Sequence, residues 1–149
     1  MTETLFYHLE RRSLDAILPG LIERTLERGW RAVIKTESAE RADALDNLLW
    51  TYDDQTFLPH AQSGDGNPKR QPVLITVEDG NPNEAQVRFL VDGAELEDAA
   101  PYDRVVYVFD GHDEDAVSQA RAEWQKAKAQ GFSVSYWQQD LQGRWQQKA

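Results

Sequence analysis

The sequence predicts an α/β fold built on a parallel sheet, and three observations carry that prediction. Apolar runs of strand length alternate with helix-period stripes, in the order strand, helix, strand, helix, over residues 5–50. The second apolar run, Ala32-Val33-Ile34, lacks polar alternation, as expected of a strand buried on both faces. Gly29 and Ser38 punctuate the pattern where a helix should stop and the next should start. Strands joined through helices pair in parallel, by right-handed crossovers.

Leu5-Phe6-Tyr7-His8-Leu9 reads as the first strand. Leu14, Ile17, Leu18, Leu21, Ile22 and Leu26 then follow helical spacing up to Gly29. Pro19 interrupts that stripe, and we expect it in a first helical position after a preceding turn, where its missing N–H costs nothing. The second strand lies within residues 30–36. Ser38 caps the next helix, whose inner stripe is Ala42, Leu45, Leu48 and Leu49. Residues 51–72 read as one long loop, through Asp53-Asp54 and Ser63-Gly64-Asp65-Gly66-Asn67-Pro68. Val73-Leu74-Ile75-Thr76-Val77 is a third strand and Asp79-Gly80-Asn81-Pro82-Asn83 a turn. Val87-Arg88-Phe89-Leu90-Val91 and Val105-Val106-Tyr107-Val108-Phe109 are the fourth and fifth strands.

The last helix covers residues 113–130 and stops at Gly131. Asp113, Glu114 and Asp115 crowd its first turn, and Lys126 and Lys128 lie near its end, as the macrodipole favours. Phe132-Ser133-Val134-Ser135-Tyr136-Trp137 alternates as a final edge strand. The Gln-rich tail, residues 138–149, either continues a strand or frays. No repeat or linker divides the chain, so we expect a single domain over residues 1–149.

Composition narrows the function. There is no Cys, which excludes disulfides, thiolate metal sites and Cys nucleophiles. The net charge is -10, from 26 acidic and 16 basic residues. Non-specific DNA binding needs a positive face, so we expect no direct nucleic-acid contact, although a local basic patch stays open. Met1-Thr2-Glu3-Thr4 is polar and acidic, and no apolar run approaches ~20 residues. We therefore expect no signal peptide, no membrane partner and a cytoplasmic location.

No motif supports catalysis, a cofactor or a metal. Gly64-Asp65-Gly66-Asn67-Pro68-Lys69 lacks phosphate-loop spacing and the following Ser or Thr. Asp79, Asn81 and Asn83 imitate the start of a calcium loop, but Glu84 stands where that loop requires Gly. His8, His60 and His112 show no metal-ligand pairing, and no Gly-x-Ser-x-Gly elbow occurs.

Two surfaces offer more. Val117, Arg121, Trp124 and Lys128 share one side of the last helix, an apolar notch with a cationic rim. Such a notch suits a peptide that ends in a hydrophobic residue with a free carboxylate, which Arg can hold bidentately. The plainer reading places Ala116, Ala120 and Ala127 on the core stripe, with Trp124 at its edge. The second surface is Trp50, Tyr52 and Phe57, close to Pro59-His60. It either folds back on the core or anchors another subunit, since Trp and Tyr dominate interface hot spots.

The residues Ala44-Leu45-Asp46-Asn47-Leu48-Leu49-Trp50-Thr51-Tyr52, with Phe57-Leu58-Pro59-His60, resemble the chi subunit of bacterial DNA polymerase III. The similarity begins at Leu5-Phe6-Tyr7, continues through Gln71-Pro72-Val73-Leu74-Ile75 and closes with Ala120-Arg121-Ala122-Glu123-Trp124 before Gly131-Phe132. The resemblance implies a three-layer, Rossmann-like fold. Its sheet would be mostly parallel or mixed and flanked by helices, with no nucleotide-binding glycine motif. It implies a non-catalytic replication accessory subunit with no cofactor. Such subunits bind a small partner, psi, which tethers them to the clamp loader. They also bind the acidic C-terminal tail of single-stranded DNA-binding protein.

By that resemblance Arg121 meets the tail carboxylate, Trp124 falls where the family carries an aromatic, and Trp50 and Phe57 fall at the psi interface, while helix spacing adds Val117 and Lys128 to the tail site. The chain departs from the family at Gln125 and Val117, where Lys is expected, with Lys126 and Lys128 nearby on other azimuths. Two other functions compete: an adaptor for a repair helicase through Trp50 and Phe57, and an enzyme whose site gathers Asp110 and the 51–72 loop at the C-terminal strand ends. An uncovered Trp50–Phe57 patch would also let the isolated chain form homodimers.

Overall fold

The computed structural model describes residues 2–10, 12–52, 59–62, 71–96, 98–99, 101–140, 142 and 144–149. Strand β1 (Glu3–Leu9) leads into helix α1 (Leu14–Glu27). Ser13 starts that helix, its side chain accepting from the Ala16 N–H at 3.3 Å. Ser38 does the same for α2 (Ala39–Thr51), accepting from Arg41 N–H at 3.2 Å. Between the helices lies β2 (Ala32–Lys35). Strands β3 (Ala61–Gln62), β4 (Val73–Thr76), β5 (Val87–Leu90) and β6 (Arg104–Asp110) follow. Helix α3 (Glu114–Ala129), capped by Asp113, and strands β7 (Ser133–Gln139) and β8 (Trp145–Gln147) complete the chain.

The eight strands form one sheet in the order β3-β4-β2-β5-β6-β1-β7-β8. All neighbours are parallel except β7 and β8. Alternation along each strand divides the core. Leu5, Leu9, Val106 and Val108 face a layer made by α1 and α2. Phe6, Val105, Tyr107 and Phe109 face α3 on the opposite side. The result is the expected three-layer α/β arrangement, with an antiparallel strand at one edge. In this arrangement β1 feeds a helix on one face and its neighbour β6 feeds a helix on the other. A crevice therefore opens at their C-terminal ends.

Three expectations require correction. Pro19 lies inside α1, not at its first position. An interior Pro forfeits a backbone bond and costs about 3 kcal/mol. Ile17, Leu18, Leu21 and Ile22 on the same helix are all buried, at about 1.5–3 kcal/mol each, and outweigh that loss. The 51–72 segment is not all loop, because Ala61 and Gln62 add a short parallel strand to the β4 edge. Finally, β7 is not the sheet edge. The Gln-rich tail continues as β8, which pairs Trp137 with Gln147 and Gln139 with Trp145. Trp145 fixes it by packing edge-on against Tyr7, ring centroids 4.8 Å apart.

The 79–83 segment is a turn held by its own asparagines. Asn81 accepts from Ala85 N–H at 2.8 Å, and buried Asn83 donates to the carbonyls of Ala32 and Gln71. Glu84 takes the left-handed conformation at φ 53°.

Candidate functional site

Helix α3 lies over β6, β1 and β7, so its inner residues meet the aromatic face of the sheet. Val117 and Trp124 are half-buried there, while Arg121 and Lys128 are exposed beside them. Trp124 packs edge-on against Phe6 and Tyr136, with centroids at 5.5 and 6.0 Å. The Lys128 ammonium sits 5.8 Å from the Trp124 ring centre, within cation–π range. The structure thus brings Val117, Arg121, Trp124 and Lys128 to one surface of α3 beside β7. The apolar residues and the cations are on the same side.

Spacing along α3 could not supply the neighbouring residue from the sheet. Tyr136 projects from β7 onto the same face as Phe6, its register partner on β1. Its phenol is pushed up by burial, while the nearby Arg121 charge pulls it down and Glu10 raises it. Its oxygen lies 2.6 Å from His8 Nδ1. His8 Nε2 in turn stands 3.3 Å from Glu10, whose carboxylate also accepts from Gln138 at 2.7 Å. The alternation of β7 was the available signal for Tyr136. The His8 contact, 128 residues away, has no local signature.

The second surface begins at the end of α2. Trp50 there is 52% exposed, and its ring lies 4.5 Å from that of His60. His60 is buried beneath it, with Nε2 3.1 Å from both the carbonyl and the carboxylate of Asp46. Tyr52 turns away and bonds Glu23 on α1. Phe57 lies outside the described residues.

The crevice at the C-terminal ends of β1 and β6 is a cavity of about 740 Å³. Glu10, Asp92, Asp110, Asp113 and Glu123 give it an acidic lining. Most of its polar groups hold the scaffold together. Asp92 receives two bonds from Arg41 and one from Thr36, Ser13 caps α1, and Asp113 caps α3. Asp110 lines the cavity, but no described residue of the 51–72 segment does. Among the described residues no group of three or more His, Asp or Glu could hold a metal, and no helix is long and apolar enough to cross a membrane.

Comparison with known proteins gives the family. The family described as DNA polymerase III chi subunit, HolC, matches residues 1–135. A protein of Rickettsia prowazekii (strain Madrid E), described as a probable DNA polymerase III subunit chi, is 30% identical over 96 residues. The match covers 64% of this chain and 58% of that protein, so the chain spans less than two thirds of the relative's length.

Proposed function

The chain belongs to the DNA polymerase III chi subunit family, and from that premise we propose that it is a non-catalytic adaptor of the replicase. It links the clamp loader to single-stranded DNA-binding protein by holding that protein's acidic C-terminal tail. The observation that carries the reading is the α3–β7 surface, where an exposed guanidinium borders the half-buried rings of Trp124 and Tyr136. Arg121 pairs with the terminal carboxylate of the tail. Its last, hydrophobic side chain lies against Val117, Trp124 and Tyr136. Lys128 attracts the acidic residues that precede it.

The second contact is Trp50, 52% exposed where it packs on buried His60, and we assign it to the psi subunit or an equivalent clamp-loader component. Because the two surfaces lie on different helices, one chain can hold both partners together. The acidic cavity is the observation that favours an enzyme instead. Its hydroxyls and imidazole are engaged within the fold, however, with Ser13 capping α1, Tyr107 donating to Glu123 at 3.1 Å and His112 Nε2 3.0 Å from the Glu10 carbonyl.

The test is binding of a fluorescent acidic peptide ending in Pro-Phe with a free carboxylate. Arg121→Ala should weaken it tenfold or more, since about 1.4 kcal/mol is the least a lost charge-assisted bond removes. Trp50→Ala should leave it unchanged. Equal binding by Arg121→Ala and the unaltered chain would remove the site from this surface.

A further inference from the structure

We infer that Tyr136 is a second carboxylate-recognising residue of the α3–β7 surface, donating its hydroxyl from the sheet side, and that His8 decides when that donor is free. This rests on the tail-binding reading of that surface. The ring of Tyr136 is fixed by Trp124, Phe109 and Phe6, with centroids at 6.0, 6.0 and 6.5 Å, so its hydroxyl has a defined position. Arg121 is near enough for its charge to act on that phenol. Trp124, three residues after Arg121 on α3, meets the Tyr136 ring at 6.0 Å, so a carboxylate paired with Arg121 is held on the face that carries this hydroxyl.

The 2.6 Å contact between Tyr136 and His8 Nδ1 holds one proton. When His8 is neutral and carries its proton on Nε2, Nδ1 can only accept. The phenol O–H is then spent on the imidazole. When His8 is protonated, Nδ1–H donates to the phenol oxygen. The Tyr136 O–H is then released to a ligand oxygen. No bond breaks beyond this hydrogen-bond reversal.

The surroundings of His8 allow both states. Burial lowers its proton affinity and is the leading influence. Glu10 from the end of β1 and Asp110 from β6 raise it, and His112 from the following turn lowers it. From β7 it meets Tyr136, while Gln138 steadies the Glu10 carboxylate. Gly111 lies close against the ring (a Cβ there would fall 1.9 Å from His8 Nε2). A carboxylate bound at Tyr136 favours the protonated form of His8, so by linkage tail affinity rises as pH falls.

The experiment is titration of the same free-carboxylate peptide at about pH 6 and about pH 8, where its own acidic residues stay ionised. The unaltered chain should bind several-fold more tightly at the lower pH. Tyr136→Phe keeps the ring, and it should bind about tenfold more weakly at the lower pH and lose the pH dependence. His8→Gln should lose the dependence too, whereas His112→Gln should keep it. Followed by NMR, the His8 ring should titrate at higher pH once peptide is bound. If Arg121→Ala loses binding while Tyr136→Phe matches the unaltered chain at both pH values, this inference is overturned and the tail-site assignment stands. If the unaltered chain binds no peptide, both fall.

Discussion

Gly111 and His8 interlock: a single added carbon on Gly111 would meet the His8 ring at 1.9 Å and the Leu9 carbonyl at 2.7 Å. Gly111 also donates its N–H to that carbonyl at 2.7 Å, so the turn after β6 is stitched to the end of β1. Gly111→Ala must push β1 and β6 apart or expel His8, because backbone on one side cannot yield. We expect a loss of about 3 kcal/mol or more in unfolding free energy, in the range of severe overpacking. Urea unfolding measures it, and a loss below about 1 kcal/mol would show that the turn relaxes freely.

Trp50 is 52% exposed, and its ring packs against that of His60 at 4.5 Å. Trp50→Ala should change unfolding free energy by no more than about 1 kcal/mol. It should nevertheless abolish capture of the partner subunit and reduce any self-association seen by sedimentation. A variant that loses stability and keeps its partner would mark Trp50 as a packing residue over His60.

Arg88 is buried with 1% of its surface exposed, an unusual place for a cation. Its guanidinium donates to the carbonyls of Glu78 and Gly80 and to the Tyr102 hydroxyl. Arg88→Met fills the volume but removes all three bonds and leaves the Glu78 carbonyl without this donor, while Tyr102 still donates to the Gly80 carbonyl at 3.2 Å. A group left unsatisfied costs about 1–3 kcal/mol. We expect a loss of about 3 kcal/mol and earlier hydrogen exchange in the 78–85 turn. Unchanged stability and exchange would mean that the turn satisfies itself.

The pH dependence of stability should fall on the alkaline side. Burial raises the Tyr107 phenol above its ordinary 10.0, and Glu123, which accepts its proton at 3.1 Å, adds to the shift. A raised folded-state value means the stabilisation is complete below about pH 10 and is lost as pH climbs beyond it. Tyr7 and Tyr136 are raised too, chiefly by burial. Tyr107→Phe should flatten the decline in chemical stability above pH 10, and an unaltered slope would place the alkaline transition elsewhere.

The strand–helix order was legible because its signals are local: apolar period, Ser13 and Ser38 caps, and glycine stops at Gly29 and Gly131, both with positive φ. Pro19 misled because the cost of an interior proline is visible in sequence, while the burial that offsets it is tertiary. Strand β8 was obscure because Gln146 and Gln147 carry little propensity, and the segment is fixed by Trp145 reaching Tyr7. The α3–β7 surface was half legible. Spacing placed Val117, Arg121, Trp124 and Lys128 together, but its sheet side depends on a pairing between β1 and β7 that only the folded sheet creates.

The central claim is that this chain holds a peptide by its terminal carboxylate. Calorimetric titration with the acidic Pro-Phe peptide, as free acid and as C-terminal amide, at low and moderate salt, tests it most directly. Saturable binding of the free acid that weakens with salt, with none for the amide, is the expected result. Equal binding of the two forms, or none by the free acid at either salt, would contradict it.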